Sequence, residues 1–208
     1  MAAQRVRVYI GLGANVGDAE GTLARAVRSL AALPRVHLRG VSRLYASQPV
    51  GVLDQPEFRN AAVALDVPGG PDRASAALRL LGHLKALERA GGRRRRSRWG
   101  PRELDLDLLI FGRARLAIER PPEARSLESA TDPAAAGRLL VVPHPMAGDR
   151  LFVLAPLADL ASGLVPPGWS RSVATARRRQ LALEGPAAVR PIGEWDATAK
   201  AWRPIQPR

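Results

Sequence analysis

The stretch that most constrains this chain runs from Arg93 to Phe111, RRRRSRWGPRELDLDLLIF. Its first half is a loop carrying six arginines, Trp99 and the turn-forming pair Gly100-Pro101. Its second half alternates. Successive side chains of a strand take opposite faces, so Leu104, Leu106, Leu108 and Ile110 point one way and Asp105, Asp107 and Leu109 the other. Two carboxylates on one face repel each other and cover a core poorly. A divalent cation resolves that conflict, since Mg²⁺ is typically held by one or two carboxylates together with phosphate oxygens. The adjacent arginines supply planar, permanently charged donors for phosphate. The pattern predicts a metal–nucleoside triphosphate site. The plainer alternative, two aspartates on the solvated face of an edge strand, leaves the arginines unexplained.

At 208 residues the chain holds one domain of ordinary size with room for extensions. The formal charge is +13, and Lys85 and Lys200 are its only lysines. So strong an arginine bias is also what GC-rich coding produces, so the charge is read as steering for an anionic substrate rather than as a nucleic-acid footprint. With no cysteine, disulfides and thiolate metal sites are excluded. A strand begins within a few residues of Met1 and no apolar run spans a bilayer, so the expected location is cytoplasmic with no membrane partner.

Val6 to Leu12 reads as a strand, followed by a glycine-rich turn and by Asp18, a good N-cap for a helix from Ala19 to about Leu33. The glycines Gly11, Gly13 and Gly17 have the wrong spacing for a dinucleotide fold, and no acidic residue lies between Gly21 and Leu53. Val36–Tyr45 and Ala61–Val67 read as strands, flanking a Pro- and Gly-punctuated loop from Ala46 to Asn60. Asp72 caps a helix running to about Ala90. Residues 113–138 lack sustained periodicity and read as a surface insertion. Leu139–Val142 is a short strand and Leu151–Leu160 a helix. Residues 166–208 form a basic, proline-punctuated extension with eight Lys/Arg against three Asp/Glu. Trp169, Trp195 and Trp202 in it suggest that it docks. The domain is taken as residues 1–165.

Four blocks in order carry a family resemblance: Tyr9–Asn15; Ser42–Tyr45 through Phe58–Val63; Arg98–Leu109; and Val142–His144 through Arg150–Leu154. Across them the chain resembles hydroxymethyl-dihydropterin pyrophosphokinase, the folate-pathway enzyme that moves a diphosphate from ATP to a pterin alcohol. The resemblance implies a ferredoxin-like α/β (α+β) sandwich, an antiparallel-rich sheet with helices packed on it. It implies that Asp105 and Asp107 hold two Mg²⁺ ions and that Arg93 and Arg102 clamp phosphates during transfer. Glu88, Arg95, Arg98, Leu108, His144 and Arg150 then serve ATP. Phe58 and Phe152 sandwich the pterin, Asn60 bonds its polar edge, Ser47 and Val50 offer backbone groups, and Trp99 closes over the site. Ala46–Glu57 and Gly91–Ser97 are the implied lids, and the partners are small molecules bound by a monomer.

The chain departs from that pattern at Gln48, Phe58, Pro145, Leu139 and Val141, and the arginine loop is one residue short. Two other functions were weighed. A basic RNA-binding domain of similar fold would display aromatics on its central strands, where this chain displays acid. A diverged paralogue with altered substrate or lost activity would keep the fold and metal site.

Overall fold

The computed structural model describes residues 4–49, 51, 54–92, 100–121 and 139–205. Its centre is a long antiparallel pair, β1 (Arg5–Ala14) against β4 (Phe58–Pro68). β5 (Asp105–Phe111) adds to the free side of β1, and β2 (His37–Val41) and β3 (Leu44–Ser47) share the far side of β4. β8 (Val189–Asp196) then pairs with β3, and β9 (Ala201–Pro204) with β8. The order β5-β1-β4-β3-β8-β9, with β2 also on β4, is antiparallel throughout. It is an antiparallel-rich α/β sandwich, as expected.

Helices cover both faces. On one, α1 (Ala19–Ala31) and α2 (Arg73–Ala90) bury Leu23, Val27, Leu30, Leu80, Leu81 and Leu84 against Val8, Ile10, Leu12, Leu106 and Leu108. Both helices start as the sequence predicts: the Asp18 carboxylate accepts from the Gly21 N–H (2.9 Å) and that of Asp72 from the Ser75 N–H (2.8 Å). Gly17, at φ 60°, makes the turn into α1. On the other face lie α3 (Leu151–Ala161) and α4 (Val173–Glu184), which bury Leu154, Leu157, Val173 and Ala176 against Tyr9, Leu109 and Ile110. Asp159 of α3 ties that helix to β3, accepting from the Tyr45 hydroxyl (2.9 Å) and from Arg43 Nη2 (2.6 Å).

Three expectations change. Ile110 does not continue the alternation of Leu104, Leu106 and Leu108. The pairings Ile10↔Leu108 and Tyr9↔Ile110 leave Leu109 as an extra residue, and this bulge turns Ile110 to the α3 face. Within the supposed insertion, β6 (Leu116–Glu119) pairs antiparallel with β7 (Leu139–Val142), and residues 122–138 lie outside the described part. The supposed extension is part of the domain: it supplies α4, β8 and β9 and widens the main sheet by two strands. Trp195 and Trp202 pack edge to face at 4.7 Å, and the Trp202 indole N–H donates to the Ser42 carbonyl (2.9 Å).

Candidate active site

Among the described residues β5 is an edge strand, so one side of the backbone that carries the two aspartates pairs with no described strand. α2 provides for it. The Glu88 carboxylate, 2% exposed, accepts from the Leu106 N–H (2.8 Å), and Lys85 Nζ donates to Glu88 (2.7 Å) and to the Leu106 carbonyl (3.4 Å). Further along, the His144 N–H donates to the Leu109 carbonyl (2.8 Å). A buried ion pair thus pins β5 at the residue between Asp105 and Asp107, which fixes where both carboxylates point.

They point into a cleft enclosing about 880 Å³ out to its solvent mouth. Across β1, Gly13 faces Asp105 and Gly11 faces Asp107, and both glycines line the cleft floor. A Cβ on Gly13 would stand 3.8 Å from Asn60 Oδ1 and 4.0 Å from the Asp105 Cβ, so the glycine leaves open the space between amide and carboxylate. Arg102 Nη1 lies 3.3 Å from Asp105 Oδ1, and the Arg150 guanidinium sits 5.8 Å from the Phe152 ring centre. Phe58 and Phe152 are both half-buried and both line the cleft, where core residues would be closed off. Asn60 Nδ2 donates to Ser47 Oγ (2.8 Å).

Of the residues singled out in the sequence, Ser47, Phe58, Asn60, Arg102, Asp105, Asp107, Arg150 and Phe152 therefore meet in one cleft. His144 stands beside it. Burial lowers its imidazole below the ordinary value, Asp107 and Asp105 oppose that shift, and Arg150 and Arg120 add to it. Its Nδ1 accepts from the Met146 N–H (3.3 Å), so the neutral ring carries its proton on Nε2. Two residues are placed elsewhere. The Leu108 side chain, 3% exposed, belongs to the core under α1 and α2, and Glu88 is engaged with Lys85 and Leu106 beneath β5. Any contact of Leu108 with a nucleotide falls to its backbone. Val50, Arg93, Arg95, Arg98 and Trp99 lie outside the described residues, as does most of the Gly91–Ser97 segment.

Sequence reasoning missed Asn15. Its Oδ1 accepts from the Arg102 N–H (2.7 Å), and its Nδ2 donates to Gln55 Oε1 and to the Pro56 carbonyl (both 3.0 Å). One buried amide thereby joins the loop before Phe58 to the segment before Asp105. It also missed Arg120, at the end of β6, whose charge acts on Asp107 and His144. The only signal for Asn15 was a lone polar residue after an apolar strand and a glycine turn.

Comparison with known proteins decides the family. The model of 7,8-dihydro-6-hydroxymethylpterin-pyrophosphokinase matches residues 9–162. The chain belongs to this pyrophosphokinase family. Among its relatives is the 2-amino-4-hydroxy-6-hydroxymethyldihydropteridine pyrophosphokinase of Pseudomonas aeruginosa, 40% identical over 161 residues, 77% of this chain and 84% of that one. The enzyme of the same name from Methylorubrum extorquens is 38% identical over 178 residues, 86% of this chain and 97% of that one. The solved wild-type HPPK-DHPS of Plasmodium falciparum superposes with a TM-score of 0.68 at 11% identity, a likeness of fold alone. It covers 97% of this chain, which spans half of that longer one. As a family member the chain is a transferase of folate biosynthesis, and the diverged-paralogue alternative gains no support. Among the described residues no helix is long and apolar enough to cross a membrane.

Proposed function

We propose that this pyrophosphokinase transfers the terminal diphosphate of ATP to the hydroxymethyl group of 6-hydroxymethyl-7,8-dihydropterin, releasing AMP. The observation that supports it best is the cleft itself, which brings paired carboxylates and two arginines together with two aromatic rings. The alcohol oxygen forms its bond to the β-phosphorus, the bridge from the α-phosphate breaks with its oxygen leaving on AMP, and the alcohol proton passes to solvent. Asp105 and Asp107 both line the cleft and offer carboxylate oxygens, the donor type that fits Mg²⁺. They would hold two Mg²⁺ ions, which would supply charge neutralisation along the triphosphate. Arg102 and Arg150 bind phosphate oxygens, and in such transfers positioning and preset charge are most of the catalysis. His144 and the loop arginines Arg93, Arg95 and Arg98 complete the nucleotide side.

At the other end Phe58 and Phe152 stack on the pterin, Asn60 bonds its polar edge, and Ser47 holds the Asn60 amide in place. Val50 and Trp99 are assigned to the pterin as well. The enzyme acts as a cytoplasmic monomer.

The test is a pair of variants, Asp105→Asn and Asp107→Asn, assayed for turnover and for pterin binding by fluorescence. Loss of turnover with pterin binding kept is expected. Full turnover in both would overturn the metal assignment.

A further inference from the structure

We propose that Glu184 and Arg190 are positioning residues for the pterin: each fixes the residue just before one of the two cleft aromatics. Both lie beyond residue 162, where the family match ends. The inference rests on the assignment of Phe58 and Phe152 to the pterin.

Glu184 is the last residue of α4, which packs on α3. Its Oε1 accepts from the Leu151 N–H (3.0 Å), the residue before Phe152. The first turn of a helix leaves its N–H groups without intrahelical partners. Arg150, at the N-cap position of α3, gives no side-chain cap of its own. Glu184 supplies one from a neighbouring helix, placing negative charge where the α3 dipole favours it. Gln180 Nε2, at 2.8 Å, orients the same carboxylate oxygen.

Arg190 lies on β8, paired with Ala46, while the neighbouring Val189 pairs with Ser47. Its Nη1 and Nη2 donate to the two oxygens of Glu57 (2.9 and 2.8 Å), a fork-to-fork contact. Glu57 immediately precedes Phe58 and also accepts from Gln48 Nε2 (2.8 Å), and Gln48 itself lines the cleft. The Arg190 guanidinium holds the Glu57 carboxyl below the usual carboxylate range.

The two contacts come from one segment and reach the residues that precede both aromatics of the same cleft. The Arg190–Glu57 contact acts next to Phe58, so its effect falls on the pterin; Leu151 lies between Arg150 and Phe152, so the Glu184 contact steadies Arg150 as well.

The test uses steady-state kinetics on the intact chain carrying Arg190→Ala, Glu184→Ala or Glu184→Gln, with thermal unfolding measured alongside. Arg190→Ala is expected to raise the pterin KM by about three- to tenfold, the range of a well-formed charged contact, with the ATP KM and kcat held, and Glu184→Ala to raise the pterin KM by a similar factor. Glu184→Gln keeps an acceptor oxygen and restores the KM. In a Glu57→Ala background, Arg190→Ala has no further effect. Were Glu184→Ala to unfold the chain, the Arg190–Glu57 arm, between an exposed and a half-buried side chain, decides alone. An unchanged pterin KM in either alanine variant, or pterin and ATP constants rising together in Arg190→Ala, overturns the proposal. A parent chain that turns over no pterin overturns the assignment beneath it, and the inference with it.

Discussion

The two ends of the cleft are held in different ways. At the carboxylate end, Asp105 and Asp107 sit on a strand whose free edge is closed by the buried Lys85–Glu88 pair, and its partner strand is central to the sheet. At the aromatic end, Phe58 follows an irregular loop and Phe152 opens a helix. Both are steadied from chain more than thirty residues away, by half-exposed Arg190 and by Glu184. Charge placement in a phosphoryl-transfer site tolerates little error, and a buried frame suits it. Ring stacking tolerates sliding, and a lighter brace is enough.

The largest effect should come from the carboxylate end. Asp107→Ala is expected to lower turnover by about a thousandfold or more while circular dichroism shows the fold retained. Next comes its frame. Glu88→Ala leaves the Lys85 ammonium buried without its partner and the Leu106 N–H unmet, and should destabilise the protein by about 3–5 kcal/mol in denaturant unfolding. Replacing both, as Lys85→Met with Glu88→Leu, should recover part of that loss, because the stranded charge has gone.

At the aromatic end, Phe152→Ala should raise the pterin KM by about tenfold through lost stacking, with the ATP KM unchanged. A fall in kcat as large as that of Asp107→Ala would erase the distinction between the ends. The smallest effect is electrostatic. The folded Glu57 carboxyl is held below its unfolded value by Arg190, so it adds stability above the unfolded pKa, and that stability disappears as pH falls through the lowered one. The stability difference between parent and Glu57→Gln should be under about 1 kcal/mol, full above about pH 4.5 and absent in stronger acid.

Legibility follows the same division. The aspartates announce themselves through period-two alternation, and Asp18 and Asp72 through capping, because these patterns are local to a few residues. The bulge at Leu109 depends on the register against Tyr9 and Ile10, so no local pattern reveals that Ile110 changes face. Glu88 looks like one more polar residue on an amphipathic helix until α2 is set against the edge of β5. β6 is four residues long in a stretch without periodicity. The C-terminal segment reads as an extension that docks, with no sign of where, because its contacts, Val189 with Ser47 and Arg190 with Glu57, span well over a hundred positions. Family resemblance reached the cleft residues and stopped where the brace begins.

The central claim is a diphosphate transfer that needs both ends of the cleft. Its most direct test is to follow AMP and ADP by chromatography when purified protein is given MgATP, with and without 6-hydroxymethyl-7,8-dihydropterin. AMP should form only in the presence of the pterin, one for one with diphosphorylated pterin, and no ADP should appear. ADP as the nucleotide product, or AMP formed at the same rate without pterin, would contradict it.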